Sequence, residues 1–90
     1  MLTPVYTRQF EKDIKRVQRR GKNLEKLKMV IRCLIAKEPL DPLHQDHKLI
    51  GNWQGRRECH VESDWLLIYK VEESRIILER SGTHADLFRK

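Results

Sequence analysis

Residues 59–70 read CHVESDWLLIYK, and the reading of this stretch decides the fold. From Trp65 to Tyr69 every side chain is apolar, so the run is placed inside a sheet, buried on both faces, with helices on one side. Two further strand candidates flank it at residues 56–62 and 75–80. The polar turns between them, Ser63-Asp64 and Glu72-Glu73-Ser74, suit an antiparallel meander. A core strand has no need of Cys59, His60, Glu62, Ser63 and Asp64 crowded at its entrance, and that crowding raises the question of chemistry.

The covering layer lies upstream. Residues 2–6 read as a short strand, and Thr7 caps a helix over residues 7–20 in which Phe10, Ile14 and Val17 form one apolar stripe. Gly21 stops it. Asn23 caps a second helix, whose Leu24, Leu27, Val30, Ile31, Leu34 and Ile35 make a wider apolar face that ends before Pro39. The two are expected as antiparallel helices joined by a tight turn. Residues 37–56, KEPLDPLHQDHKLIGNWQGR, hold two prolines, two glycines and no sustained period, so they read as a long loop, which in a small domain is usually functional. THADLF, residues 83–88, closes the pattern as a short turn or helix. The expectation is one α+β domain over residues 1–90: two N-terminal helices packed on a mostly antiparallel sheet of about four strands.

Ninety residues support a single modest core, with stability of roughly 5–15 kcal/mol. Nineteen Lys and Arg against thirteen Asp and Glu give a formal charge of +6, which favours a polyanionic partner. The basic residues gather early, at Lys12, Lys15, Arg16, Arg19, Arg20 and Lys22, and Lys12, Lys15 and Arg16 are the candidates for nucleic-acid contact. No apolar run reaches the roughly 20 residues that span a bilayer, and no signal-peptide core opens the chain, so no membrane role is expected and the cytoplasm is the expected compartment. Cys33 and Cys59 form no CxxC pair and read as buried thiols.

In a meander, His60 and Asp64 flank the first turn, Arg80 runs back toward it, and His84 follows; His47 on the long loop is free to join them. Such a set suits RNA cleavage, in which a 2′-hydroxyl attacks the adjacent phosphate. One group takes its proton, another protonates the leaving 5′-oxygen, and a cation offsets charge on phosphorus. Imidazoles, a carboxylate and a forked guanidinium supply these roles, and no metal or cofactor is called for. Trp65 and Phe88 could stack on unpaired bases. Each residue also has a structural account: His60 facing solvent, Asp64 as a turn residue, Arg80 paired with Glu58, Glu62 or Glu79, and Trp65 and Phe88 in the core. His44, Asp46 and His47 are a weak rival metal site.

DHKLIGNWQGRRECHVESDWLLIYK, residues 46–70, followed by ERSGTHADLF, residues 79–88, resembles the YafQ-like branch of the RelE/ParE superfamily of bacterial toxins. Residues 1–45 match it only in helix pattern and basic character. The resemblance implies a RelE-like toxin that enters the decoding site of the 70S ribosome and cuts messenger RNA there. It implies that His47, His60, Asp64 and His84 are acid/base and substrate-orienting groups, that Arg80 stabilises the phosphate, and that Trp65 and Phe88 lie around the active site. It also implies a cognate antitoxin, with a wrapping segment and a DNA-binding half that represses the shared operon, and a free toxin that is monomeric. The other reading within the superfamily is a non-catalytic toxin that poisons a protein such as DNA gyrase. A basic pair, Arg89-Lys90, follows Phe88 beyond the matching pattern.

Overall fold

A computed structural model describes residues 1–88; the pair Arg89-Lys90 lies outside the described residues. The elements run β1 (Thr3–Tyr6), α1 (Arg8–Arg19), α2 (Leu24–Ile35), β2 (His47–Lys48), β3 (Arg57–Glu62), β4 (Trp65–Glu72), β5 (Arg75–Gly82) and α3 (His84–Phe88). The strands form one sheet in the order β1-β5-β4-β3-β2, antiparallel throughout except that β1 runs parallel to β5.

β4 occupies the middle because its side chains satisfy two layers at once. Trp65, Leu67 and Tyr69 face the helices, where they join Cys59, Val61, Ile76 and Leu78 of the neighbouring strands and Phe10, Val17, Leu27, Val30 and Ile31 of α1 and α2. Leu66 and Ile68 face the other way and meet Leu87 of α3, with Leu49, Trp53 and Phe88 packed around them. Each fully buried Leu or Ile of this run contributes about 1.5–3 kcal/mol. Cys59 is buried among them, and burial pushes its thiol up to about 12, which leaves it inert. Cys33 is only half-buried.

Both helices start at the expected caps: Thr7 Oγ1 accepts from Phe10 N at 3.0 Å, and Asn23 Oδ1 accepts from Glu25 N at 3.0 Å. The Thr7 hydroxyl also lies 3.1 Å from Leu78 O and 3.0 Å from Glu79 O, which joins the start of α1 to β5. α1 ends where Gly21, at φ +82°, and Lys22 return hydrogen bonds to Gln18 and Val17. α2 ends with the same pair of bonds, from Lys37 to Leu34 and from Glu38 to Cys33, but places Lys37 at φ +60° where glycine is usual.

Residues 37–56 are more ordered than their composition suggests. They contain 3₁₀ turns at Pro42–His44 and Gly51–Trp53 and the two-residue strand β2, which makes the sheet five strands rather than about four. A strand of two residues leaves no periodic trace in a sequence; it forms because His47 and Lys48 lie against Glu58 and Arg57. The end of the loop is fastened by Asp46, whose Oδ1 accepts from the Tyr69 hydroxyl at 2.7 Å and from Arg57 Nε at 3.3 Å. β5 also runs two residues past its expected end, because Ser81 and Gly82 continue the pairing with Leu67 and Leu66.

Candidate active site

The sheet face opposite α1 and α2 carries the polar residues at the end where β3 turns into β4. Cross-strand partners share a face, so the register of His60 with Leu66, Glu58 with Ile68 and Gly82 with Leu66 sets these positions beside one another. α3 then crosses this end. Its start is a reciprocal cap in which Asp86 N donates to Thr83 Oγ1 at 3.1 Å and Thr83 N donates to Asp86 Oδ2 at 3.0 Å. The cap makes His84 the first residue of the helix.

His84 is fixed twice by one carboxylate. Its backbone N–H donates to Asp64 Oδ1 at 3.0 Å, and its ring Nδ1 lies 2.6 Å from the same oxygen. Because a carboxylate only accepts, Nδ1 carries the proton and Nε2 is the nitrogen left for chemistry. The His84 backbone and ring hold the Asp64 carboxyl below its usual range, so it is ionised throughout the neutral region. The His84 ring meets that of His60 edge-on, with centroids 5.8 Å apart, and the Phe88 ring, one helical turn on, at 6.4 Å. Phe88 in turn meets the edge of Trp53 at 6.4 Å.

On the β3 side a second carboxylate lies between two imidazoles. Glu58, 4% exposed, places Oε1 at 3.4 Å from His47 Nε2 and 3.6 Å from His60 Nε2. The other nitrogen of His47 lies 2.7 Å from Gln45 O. His60 is also steadied through its backbone, since its carbonyl accepts from His44 Nδ1 at 2.6 Å. The bonded pair Asp64–His84 and the cluster of His47 and His60 around Glu58 therefore meet at the His60–His84 contact.

Beyond Leu78, β5 has no β1 neighbour, and there the Arg80 guanidinium meets α1. Arg80 Nε and Nη2 donate to Asp13 Oδ2 at 2.7 Å and Oδ1 at 3.1 Å. None of Glu58, Glu62 and Glu79 is its partner: Glu62 is held by Lys22 and Lys26, and Glu79 by Arg56.

Trp65 is a correction to the sequence reading. It is 1% exposed in the helix-side core, with its indole N–H donated to Ser81 Oγ at 3.0 Å, and offers no ring face to a base. The alternation of β4 sends it to the face opposite His60. Lys12 and Lys15 are exposed on α1, whereas Arg16 turns to Asp13 at 3.5 Å and Asp86 at 3.6 Å. Among the described residues no three His, Cys, Asp or Glu converge as metal ligands; His44, Asp46 and His47 are each turned to a different partner. Sequence reading missed Glu58 and Asp13. Asp13 had a signal, a carboxylate three residues after Phe10 and four before Val17 on the apolar stripe, while Glu58 had none beyond lying two residues before His60.

Comparison with known proteins agrees with this fold. The family model for the bacterial toxin of type II toxin–antitoxin systems, YafQ, matches residues 2–89. The mRNA interferase toxin YafQ of Escherichia coli K12 is 46% identical over 84 residues, which cover 92% of this chain and 91% of the relative. The crystal structure of YafQ from E. coli BL21(DE3) has a TM-score of 0.93 at 43% identity, covering 98% of this chain and 99% of that one. YafQ in the E. coli DinJ–YafQ complex has a TM-score of 0.90 at 44% identity with the same coverage. Matched by the family model over residues 2–89 and similar in sequence and backbone over nearly its whole length, this chain belongs to the YafQ family of type II toxin–antitoxin toxins.

Proposed function

We propose that this toxin is an endoribonuclease that cuts messenger RNA in the decoding site of the translating 70S ribosome, by attack of a 2′-hydroxyl on the adjacent phosphorus. The observation that carries the reading is the edge-on pair of His60 and His84, with Asp64 bonded to His84 and Glu58 3.6 Å from His60. The attacking hydroxyl loses its proton to one imidazole and the departing 5′-oxygen gains one from another, so the phosphodiester is exchanged for a cyclic phosphate with no net consumption of protons. Asp64 keeps His84 in the tautomer that presents Nε2, and Glu58 orients His60 and His47. Arg80 offsets charge on the phosphate oxygens. Phe88, half-buried at the rim, supplies a ring for an unpaired base. Lys12 and Lys15 add contacts to the polyanion, with Arg16 beside them.

Paired imidazoles favour cleavage over the non-catalytic poisoning of a protein such as DNA gyrase, which has no use for a proton-transfer set. The DinJ–YafQ complex supports an antitoxin partner for this chain, and the proposal extends to a partner encoded with it that represses their common operon. Action on ribosomes would take place in the cytoplasm, and no helix among the described residues is long and apolar enough to cross a membrane.

The deciding experiment is primer extension on a defined message translated in a purified system, with wild-type protein beside His84→Ala. Cuts at codon positions are expected only with ribosomes and intact His84, the variant losing about 10²–10⁴-fold in rate. Undiminished cutting by His84→Ala, or cutting of free message at the same rate, would contradict the proposal.

A further inference from the structure

Asp13 takes no part in the proton-transfer set, yet α1 carries it into the interior at 0% exposure. A buried carboxylate is costly unless its oxygens are met by donors, and here both are met from β5. Arg80 binds them through Nε and Nη2, and Ser81 N adds a third bond to Oδ2 at 3.0 Å. We infer that Asp13 is a positioning residue for the cleavage reaction, holding the side edge of the Arg80 guanidinium so that its end edge is presented to the scissile phosphate.

The geometry of the fork makes this specific. A guanidinium has five N–H groups in one plane; Asp13 engages one on Nε and one on Nη2, which leaves the remaining Nη2 proton and both Nη1 protons for a phosphate. The side chain of Arg80 keeps 21% exposure although Asp13 has none, so the contact with Asp13 does not seal the guanidinium from solvent. Ser81, the next residue, is locked as well: its backbone donates to Asp13, and its hydroxyl donates to Leu66 O at 2.8 Å while accepting from the Trp65 indole. Arg80 is thus anchored through both its own side chain and its neighbour's backbone, and a preorganised cation needs no rearrangement at the moment of reaction. The inference rests on the proposed role of Arg80 at the phosphate.

A purely structural ion pair would give the same contacts, so the test must separate the two. Asp13→Asn preserves the shape and one acceptor oxygen but withdraws the charge that holds the fork. Single-turnover cleavage on programmed ribosomes is measured for wild type, Asp13→Asn, Arg80→Ala and the double variant. Asp13→Asn is expected to lower the maximal rate roughly tenfold or more with half-saturation unchanged, and to slow the Arg80→Ala protein no further. If Asp13→Asn slows Arg80→Ala by the same factor as wild type, or cleaves at the wild-type rate while Arg80→Ala is defective, the inference fails alone. Wild-type cleavage by Arg80→Ala overturns the phosphate role and the inference together. Should Asp13→Asn not fold, Asp13→Glu, which keeps the charge but shifts the fork, takes its place in the same cycle: a slowed maximal rate absent from the Arg80→Ala background supports the inference, and an equal slowing in both backgrounds or none in either overturns it.

Discussion

Asp64 shows how much one exposed carboxylate does at the scale of a residue. It fixes the tautomer of His84, caps the first N–H of α3 and ties the β3–β4 turn to the C-terminal helix, all through Oδ1. Asp64→Asn keeps an acceptor but forfeits the charge, and is expected to cut the single-turnover rate roughly 10- to 100-fold with little change in melting temperature. Trp65→Phe makes the opposite pattern. It removes the bond to Ser81 Oγ inside the core, so a loss of about 1–3 kcal/mol in urea unfolding is expected while the folded protein cleaves normally. A cleavage defect in folded Trp65→Phe would place the indole in the reaction after all. At this scale the histidines, Asp64 and Arg80 could be picked out from residue type alone. Glu58 and the Asp13–Arg80 pairing could not, because a partner 67 residues away along the chain leaves no local mark.

The decisive elements are the helix ends. α3 has five residues, too few to persist by propensity, and depends on its reciprocal cap and on Arg20, whose guanidinium binds Asp86 at 2.6 and 3.1 Å. Arg20, with the Thr83 donors, holds the Asp86 carboxyl well below the usual carboxylate range. A depressed carboxylate stabilises the fold above its unfolded value, about 3.9, and that contribution is lost as pH falls toward the lower folded value. Asp86→Asn is therefore expected to lower the melting temperature at pH 7, and the gap from wild type should narrow steadily below about pH 4. A constant gap across that range would exclude the ionised carboxylate as the cause. Gly82 approaches this cap so closely that an added Cβ would lie 2.8 Å from Asp86 Oδ2, so Gly82→Ala should displace α3 and His84 with it. At the end of α2, Lys37 sits where glycine carries no penalty, and Lys37→Gly should raise unfolding stability by about 1 kcal/mol. Gly21 announced its helix end in the sequence; Lys37 did not, since nothing about a lysine signals a left-handed turn.

For the molecule as a whole, charge and topology divide the work. A net +6 on 90 residues implies counterion release on binding RNA, so affinity for ribosomes should fall by an order of magnitude or more between 50 and 200 mM salt, with a shallower slope for Lys12→Gln/Lys15→Gln. Equal slopes would remove those lysines from the interface. The amino-acid order determined by itself that a strand apolar on both faces lies mid-sheet beneath two amphipathic helices, because period and composition are local properties that each segment carries wherever it sits. It also marked the end of that strand where polar groups gather, since a turn sequence carries its own flanking His60 and Asp64. Only the tertiary structure decided that Trp65 belongs to the core, that Glu58 lies between two histidines, that residues 47–48 form an edge strand, and that Asp13 holds Arg80. Each of these depends on distant segments packed at ångström distances, where burial and donor geometry, rather than residue type, select the partner.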